Sequence, residues 1–198
     1  MQAAELAYVL REGAELREVA EAAEATGHAS VAVEGLREPL TISGIELVPR
    51  LTTRDLSMLR RFKGLRAYPV EKAEDLRSYP RLRRYAHIIT MTGNALRRLG
   101  PREVERLSNL GLPVEVQVNT VLEALASGLW LRGLRALLTA ALTDRVKLAT
   151  SSGAFRPQLI RPVEVKRAFL EVFGLTQSHT FEAVITVPAN VLGKVVRS

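Results

Sequence analysis

The residues best suited to chemistry lie between Ser151 and Pro162, which read Ser-Ser-Gly-Ala-Phe-Arg-Pro-Gln-Leu-Ile-Arg-Pro. An apolar run at 146–150 predicts a strand before them, and apolar residues at helical spacing predict a helix over 163–173. A loop of small residues at such a junction directs backbone N–H groups and the positive end of a helix dipole towards one point. Arg161 adds a guanidinium that can hold a phosphate through two parallel hydrogen bonds. The pattern predicts an anion-binding loop, and a helix N-terminus satisfied by its own chain is the alternative.

Two further cations follow this loop. Lys166 and Arg167 come early in the predicted helix 163–173, where a positive charge opposes the helix dipole by about 0.3–1 kcal/mol. We expect an anion close to the helix to offset that unfavourable interaction.

A metal-dependent site has little support in the sequence. There is no cysteine, which excludes disulfides, thiolate zinc sites and thiol nucleophiles. The histidines, His28, His87 and His179, show none of the His-x-His or His-x-x-x-His spacings typical of metal sites. Metal-dependent phosphoester hydrolysis is kept only as an alternative function.

Nucleophilic and paired-carboxylate chemistry are also unsupported. Ser151 and Ser152 have no predictable base, and the chain has no Gly-x-Ser-x-Gly elbow. Glu34 and Glu115 are poorly placed for a pair of catalytic carboxylates, which must follow adjacent strands. The sequence therefore predicts no self-sufficient active site.

Charge is distributed unevenly along the chain. Its 198 residues carry a formal net charge of +7, but residues 1–38 hold eight acidic and three basic residues, so the positive excess lies in 39–198. Twenty-three of the 28 basic residues are arginine, whose planar guanidinium suits phosphate better than the ammonium of lysine. A polyanionic partner, most commonly nucleic acid, is one explanation, and an arginine bias of the genome is the other.

Two basic clusters are interleaved with aromatic residues. The first surrounds a predicted helix-to-strand turn and the second contains two tyrosines; they comprise Arg60, Arg61, Phe62, Lys63 and Arg66, and Arg77, Tyr79, Arg81, Arg83, Arg84 and Tyr85. Cations that neutralise phosphates and rings that stack on bases are the groups through which proteins bind folded RNA. The clusters favour RNA contact, with a solvated charged surface as the alternative.

Predicted strands and helices alternate along the chain. Short apolar runs predict seven strands, at 6–10, 30–34, 45–48, 65–70, 87–91, 114–118 and 146–150. Helices are predicted at 15–25, 53–62, 101–110, 129–142 and 163–173, followed over 178–196 by two short helices split at Pro188. This alternation gives right-handed βαβ units and a parallel sheet. An open doubly wound sheet and a compact barrel both satisfy it, and either brings the loops after the strands to one face.

The composition bounds the overall class of the protein. With 47% hydrophobic and 25% charged residues and no Pro/Gly/Ser-rich linker, the chain is expected to form a single domain over 1–198. No apolar run approaches the roughly 18 residues of a membrane span. Residues 1–5 lack the basic start of a secretory signal. We expect a cytoplasmic protein that contacts no membrane.

With these residues in view, the chain resembles ribonuclease P protein component 3, a barrel-like subunit of archaeal and eukaryotic ribonuclease P related to the polymerase-and-histidinol-phosphatase superfamily. The resemblance rests mainly on 146–195: a strand ending in Ser-Ser-Gly-Ala at 151–154, Arg-Pro at 161–162, and an amphipathic helix ending in Gly-Leu at 174–175. A looser match covers Leu-Val-Pro-Arg-Leu-Thr at 47–52 and the order of strand, Val-Asn and helix over 111–125.

The resemblance implies an α/β fold, a compact TIM-barrel-like arrangement of about seven parallel strands with surrounding helices. It implies an RNA-binding protein subunit that supports the catalytic RNA in removing the 5′ leader from precursor tRNA. The chain itself would hold no catalytic residue, cofactor or metal, and magnesium would lie on the RNA. The implied partners are ribonuclease P RNA, the small ribonuclease P protein that pairs with component 3, and the other ribonuclease P proteins. A scaffold that binds only protein is a further alternative.

Seven basic residues are predicted to contact the RNA phosphates. The first-choice candidates should surround one strand-end face and are Arg50, Arg161, Lys166 and Arg167. The second-choice candidates are Arg97, Arg98 and Lys147.

Overall fold

The strands form one sheet in the computed structural model, which describes residues 2–10, 15–128 and 131–196. The strands are β1 (Ala3–Val9), β2 (His28–Glu34), β3 (Leu40–Ile42), β4 (Ile45–Thr52), β5 (Leu65–Val70), β6 (Ile88–Met91), β7 (Val114–Gln117) and β8 (Leu148–Ser151). Seven of them are parallel, in the order β1-β2-β4-β5-β6-β7-β8, and β3 pairs antiparallel with β4.

The sheet closes almost completely into a barrel. Just beyond β8, Ala154 forms a parallel bridge with Tyr8 of β1. The backbone N–H of Val9 donates to the Ala154 carbonyl at 2.8 Å, and the Ala154 N–H donates to the Ala7 carbonyl at 3.1 Å. These bonds join the two ends of the parallel sheet and distinguish a barrel from an open doubly wound sheet. The TIM-barrel-like fold implied by the resemblance is confirmed.

Helices surround the barrel and connect most successive strands. They are α1 (Leu16–Ala25), α2 (Leu56–Arg61), α3 (Tyr79–Tyr85), α4 (Gly93–Arg98), α5 (Pro101–Leu110), α6 (Val118–Ala126), α7 (Arg132–Leu142), α8 (Val163–Val172), α9 (Gln177–Phe181) and α10 (Val187–Val196). Every connection from β4 to β8 contains at least one helix, which is the predicted alternation.

The seven predicted strands are confirmed, with ends displaced by up to four residues. β3 is not among them, because three residues give too short an apolar pattern to recognise. Its link to β4 is a two-residue turn in which Ser43 and Gly44 have φ of 50° and 83°. Positive φ at both central positions is the requirement of a type I′ turn, a common two-residue hairpin connection.

Two helices begin later than predicted. α2 starts at Leu56 because Asp55, rather than Thr53, caps it, and the Asp55 carboxylate accepts from the backbone N–H groups of Ser57 and Met58 at 2.8 and 3.4 Å. For the predicted helix 129–142, residues 129 and 130 lie outside the described part of the chain, and α7 begins at Arg132.

The C-terminal segment is one continuous run of helical backbone, which corrects the predicted split at Pro188. A π-helical turn, Glu182–Thr186, joins α9 to α10, and Pro188 lies in the first turn of α10. Proline lacks the N–H that would bond to the carbonyl four residues earlier, in Val184. The wider turn therefore lies where that hydrogen bond is missing.

Two layers of side chains fill the barrel interior, since alternate residues of each strand point inward. The lower layer is apolar, and α10 packs against it; the cluster comprises Ala4, Leu6, Ala32, Val48, Leu65, Ala67, Ile88 and Ala149 with Val187, Val191 and Leu192. Two residues further along β4, β6 and β8, the alternation places Arg50, Thr90 and Ser151, which lie with Glu115 of β7 in a second layer, all buried. α10 thus closes the amino end of the barrel, and a polar layer occupies the carboxyl end.

Candidate functional site

The two serines after the barrel's last strand bond inside the protein. Ser152 is fully buried, and its hydroxyl donates to Glu5 Oε2 at 2.6 Å and accepts from the backbone N–H of Arg161 at 2.8 Å. The hydroxyl of Ser151 donates to Glu115 Oε1 at 2.7 Å. For these serines the alternative of a loop satisfied by its own chain is the correct one.

Arg161 lies half-buried between this loop and α8. Its Nε donates to Asn119 Oδ1 at 2.8 Å. Asn119 is held in place because its Nδ2 donates to the Leu159 carbonyl at 3.0 Å and its backbone N–H donates to the Ser152 carbonyl at 3.1 Å. Within the described chain no carboxylate forms an ion pair with Arg161. Its charge is therefore uncompensated at the carboxyl end of the barrel.

A buried ion pair links α8 to the seam between β1 and β8. Lys166 Nζ lies 3.0 Å from Glu5 Oε2, and neither side chain has exposed surface. Glu5 Oε1 accepts from the backbone N–H groups of Ser152 and Ala7 at 2.9 and 3.2 Å. Burial alone would raise the pKa of Glu5, but the charge of Lys166 and the hydrogen bonds from Ser152 hold it below its usual value. Glu5 is therefore an ionised carboxylate inside the protein.

His28 completes this buried cluster as a neutral ring. Its Nε2 lies 2.7 Å from Lys166 Nζ and its Nδ1 lies 3.0 Å from Thr26 Oγ1. An ammonium can only donate, so Nε2 accepts and the ring proton is on Nδ1. The Thr26 hydroxyl oxygen accepts a hydrogen bond from this Nδ1–H, and the hydroxyl itself donates to the Ala22 carbonyl at 2.6 Å. Burial, together with the charge of Lys166, lowers the pKa of His28 to about 4.

A second buried ion pair, between Arg50 and Glu115, lies inside the barrel. Nη1 and Nη2 of Arg50 donate to Oε1 and Oε2 of Glu115 at 2.9 and 2.7 Å, a bidentate arrangement. The Thr90 hydroxyl donates to Glu115 Oε2 at 2.6 Å and accepts from Arg50 Nη2 at 3.0 Å. Burial opposes both charges, but their mutual attraction lowers the pKa of Glu115 and raises that of Arg50.

The remaining donors of Arg50 are also satisfied inside the barrel. Its Nε donates to Thr52 Oγ1 at 3.1 Å and lies 3.3 Å from Glu34 Oε1, and its Nη1 donates to the Leu6 carbonyl. The sequence places Glu34 and Glu115 poorly for catalysis as a pair, and in the structure both carboxylates contact the same guanidinium. Together they stabilise a buried cation.

Two of the seven residues predicted to contact RNA are buried inside the protein. Arg50 and Lys166 have no exposed side-chain surface, so they do not lie on an accessible strand-end face. The physical reason is that Glu115 and Glu5 lie within buried strands, and an ionised carboxylate left there without a partner would be strongly destabilising. In this arrangement both cations neutralise the protein's own acids.

The other predicted contacts are spread over the molecule. Arg97 and Arg98 are exposed in the last turn of α4. Lys147 is exposed and precedes β8, at the opposite end of the barrel from Arg161. Arg167 is half-buried, and its buried Nε has no hydrogen-bond partner. These residues do not form one face, and RNA contact by any of them stays a prediction.

The two basic clusters noted in the sequence each place part of their residues on one of two adjacent helices, α2 and α3. α2 packs against α3, and a groove between them is lined by Leu56, Ser57, Arg60, Arg61, Arg81 and Tyr85. The three arginines are exposed, and none belongs to an ion pair formed by described residues. We call this feature the α2–α3 groove. It brings together side chains that are separate in sequence.

Arg66, at the end of the first cluster, has a different environment. Its Nη2 lies 2.6 Å from Nε2 of His87, and its backbone N–H donates to Nδ1 of the same ring at 3.3 Å. Burial, then the charges of Arg66 and Lys194, lower the pKa of His87 to about 4. In the second cluster, the side chains of Arg77 and Tyr79 lie outside the described part of the structure.

Glu5 and Glu115 were assigned no structural role from the sequence, although a signal is present. Each is a lone acid in an apolar strand, Ala-Ala-Glu-Leu-Ala at 3–7 and Val-Glu-Val at 114–116. An acid in a strand buried on both faces must find a partner. The identity of that partner is not visible locally, since Lys166 is 161 residues from Glu5 and Arg50 is 65 residues from Glu115.

The described residues contain neither a cluster of metal ligands nor a membrane-spanning helix. Within 2–10, 15–128 and 131–196, no group of three or more His, Cys, Asp or Glu side chains could hold a metal ion. Over the same ranges, no helix has both the length and the apolar character needed to cross a bilayer. That the chain binds no cofactor, and that magnesium lies on the RNA, stay predictions.

Comparison with known proteins gives a likeness of fold. No protein-family model and no curated protein matches the sequence. A chain from the cryo-EM structure of archaeal ribonuclease P with mature tRNA superimposes with a TM-score of 0.69 at 13% identity, over 98% of this chain and 90% of that chain. Mycobacterium tuberculosis Rv1207 gives 0.38 at 17% identity, covering 98% and 91%, and Thermus thermophilus dihydropteroate synthase gives 0.36 at 16%, covering 85% and 68%. The first likeness leads to the conclusion that this chain has the same barrel fold as a chain of archaeal ribonuclease P.

Proposed function

We propose that this chain is an RNA-binding protein subunit of ribonuclease P, of the component 3 family, that supports the catalytic RNA in removing the 5′ leader from precursor tRNA. The observation that carries the proposal is the likeness of fold, over 98% of the chain, to a chain of archaeal ribonuclease P with mature tRNA. The Ser-Ser-Gly-Ala and Arg-Pro motifs add support, because Ser152 and Arg161 bond to each other where the barrel closes.

In the proposed role the protein contributes positive charge and a rigid frame. Excess arginine on the surface neutralises phosphates, so that RNA helices can approach one another and hold magnesium ions. Binding takes place on the outer surface, since the two layers of the barrel interior are occupied by the protein's own side chains. The RNA, and not this chain, supplies the chemistry of phosphodiester cleavage.

The proposed partners are ribonuclease P RNA, the small ribonuclease P protein that pairs with component 3, and the other proteins of the same enzyme. Assembly takes place in the cytoplasm. Arg161 is the strongest remaining candidate of the original RNA-binding set, because it combines a position at the carboxyl end of the barrel with an uncompensated charge.

The test is to purify the tagged protein from its native cells without nuclease treatment and to sequence the RNA that accompanies it. The expected result is enrichment of one structured RNA that cleaves precursor tRNA when combined with the recovered proteins. Recovery of proteins without RNA would overturn the proposal in favour of a protein-only scaffold. Turnover of a generic phosphoester by the isolated chain with manganese or zinc, abolished by a chelator, would overturn it in favour of a phosphoesterase.

A further inference from the structure

We propose that the α2–α3 groove binds the sugar-phosphate backbone of an RNA strand. Arg60 and Arg61 enter the groove from α2 and Arg81 enters from α3, and no carboxylate is present among the described residues that line it. The proposal rests on the proposed function for the identity of the RNA, whereas the site itself rests on the geometry of these two helices.

The backbone that carries these arginines is firmly anchored. Leu59 and Leu82, which neighbour Arg60 and Arg81 in sequence, have no exposed surface and belong to the main hydrophobic core. Asp55 fixes the start of α2 by capping it. Little ordering of the backbone is then needed when a ligand binds, which favours affinity.

The nearby acids are engaged elsewhere. The Asp55 carboxylate accepts from the backbone N–H groups at the start of α2, and Arg54 Nη2 lies 2.6 Å from Glu71 and 3.5 Å from Asp75. The pKa of Asp55 is lowered mainly by its hydrogen bonds with Ser57 and to a smaller extent by the charge of Arg61. No described carboxylate forms an ion pair with a groove arginine, so much of their positive charge is left without a partner. Guanidinium groups that are close together repel one another, and an anion between them relieves that repulsion.

The helix itself helps to hold two of these cations. Arg60 and Arg61 lie in the last turn of α2, where the partial negative charge of the helix end favours positive side chains. The structure can therefore keep arginines here without a neighbouring carboxylate. Their charge remains available for a ligand.

The aromatic residue of the groove favours RNA over a simple anion. Tyr85 is half-buried in the groove wall, and the guanidinium of Arg84 lies 5.6 Å from its ring centroid. Planar guanidinium and aromatic groups are surfaces on which unpaired RNA bases stack. A strand can place successive phosphates on arginines from both helices and a base on this pair, whereas a single free phosphate cannot engage the whole groove.

The test compares two triple variants of equal net charge. The groove variant is Arg60→Gln/Arg61→Gln/Arg81→Gln. The control variant is Arg102→Gln/Arg106→Gln/Arg135→Gln, which removes three exposed arginines from α5 and α7. The probe is a mixed-sequence single-stranded RNA, and its affinity for each full-length protein is measured over a series of salt concentrations. Unchanged thermal unfolding of both variants shows that the fold is intact.

We expect the groove variant to lower the slope of log affinity against log salt by about two units, since a single-stranded contact contributes about 0.7. The control variant is expected to lower the slope by less than half as much. Equal slopes for the two variants would overturn the groove proposal and leave the proposed function standing, provided that the wild-type protein binds RNA. Failure of the wild-type protein to bind any RNA would overturn both.

Two further measurements separate the possible ligands. If inorganic phosphate perturbs the groove residues and the RNA probe does not, the proposal is overturned in favour of a small-anion site. Loss of binding to polyglutamate but not to RNA in the groove variant would overturn it in favour of an acidic protein. A groove-dependent affinity for the probe, together with co-purifying RNA unrelated to tRNA processing, would support the groove and contradict the proposed function.

Discussion

The Glu5 carboxylate accepts a hydrogen bond from the backbone N–H of Ser152 at 2.9 Å, and this bond joins the first strand of the barrel to the residue that follows the last. Among the described residues, strand pairing at this seam consists of the bridge between Tyr8 and Ala154. The side chain of Glu5 thus replaces a hydrogen bond that a complete strand pair would supply. Its charge is balanced by Lys166, so closure of the barrel depends on α8 as well as on the strands.

Glu5→Gln is expected to lower the free energy of unfolding by about 3–5 kcal/mol, because it leaves the Lys166 ammonium buried without a carboxylate. Urea denaturation measures the change. Lys166→Met should be similarly harmful, and the double variant should lose much less than the sum of the two single losses. Additive losses would contradict a direct pairing of these residues.

Arg50→Lys is expected to destabilise the protein by several kcal/mol, on the order of the 3–5 kcal/mol typical of a broken buried pair. A lysine cannot reproduce the bidentate contact with Glu115 while also bonding Thr90. Because Arg50 is buried, the same variant should leave the salt dependence of RNA binding unchanged. A flatter salt dependence in a variant that is still folded would show that Arg50 reaches RNA.

His28 makes stability depend on pH. Burial lowers its pKa from 6.5 to about 4, so between these values the unfolded chain binds a proton that the folded protein does not. The free energy of unfolding therefore falls as the pH is lowered through this window, by up to about 1.4 kcal/mol per pH unit for this group. Above pH 7 the ring is neutral in both states and contributes no pH dependence.

The variant that checks this is His28→Gln, whose side-chain oxygen can accept from Lys166 as Nε2 does. We expect urea denaturation between pH 6.5 and 5 to show a shallower loss of stability in the variant than in the wild type. His87, whose pKa is also lowered to about 4, contributes equally to both proteins. Identical slopes would mean that His28 is protonated in the folded protein over this range.

Gly133→Ala is expected to destabilise the protein by about 1–3 kcal/mol through overpacking. A Cβ at this position in α7 would lie 2.6 Å from the carbonyl oxygens of Ala95 and Leu96 in α4. Gly193→Ala in α10 is the matched control, since nothing lies within 4 Å of its Cβ position. Replacing this helical glycine should stabilise by about 0.5–1 kcal/mol. Thermal unfolding that moves in the same direction for both would contradict the close approach of α4 and α7.

Three of the remaining members of the predicted RNA-binding set are tested by Arg97→Gln/Arg98→Gln/Arg161→Gln. If all three contact phosphates, the slope of log affinity against log salt should fall by about two units. The single variant Arg161→Gln distinguishes RNA contact at the barrel end from RNA contact at α4. A fall of about one unit in the slope for this variant would place Arg161 in contact with RNA. An unchanged slope in the triple variant would remove these residues from the interface.

The architecture could be predicted from sequence because parallel strands that are buried on both faces appear as short continuous apolar runs. The pattern did not distinguish a barrel from an open sheet, since closure depends on the bonds of Ala154 with β1. Those bonds join residues far apart in the chain. The choice came instead from the resemblance of the Ser-Ser-Gly-Ala and Arg-Pro motifs.

The candidate site was harder to predict because a cation near a strand end can serve two purposes. Arg50 and Lys166 have the residue type and position of phosphate ligands, yet each forms a buried ion pair with an acid on a strand distant in sequence. The arginines of the α2–α3 groove, in contrast, are exposed and form no ion pair with a described acid. Local sequence identified both clusters, but only the packing of α2 on α3 shows that they form one surface.

The position of α10 at the amino end of the barrel also determines when the core can be completed during synthesis. Val191 and Leu192 pack against Ala4 and Leu6, so the packing around β1 cannot be completed until α10 has been synthesised. Until then the nascent chain exposes the apolar side chains that α10 covers in the finished barrel. The core of the barrel is therefore completed only after α10 has left the ribosome, and we expect chaperones to contact the growing chain before that point.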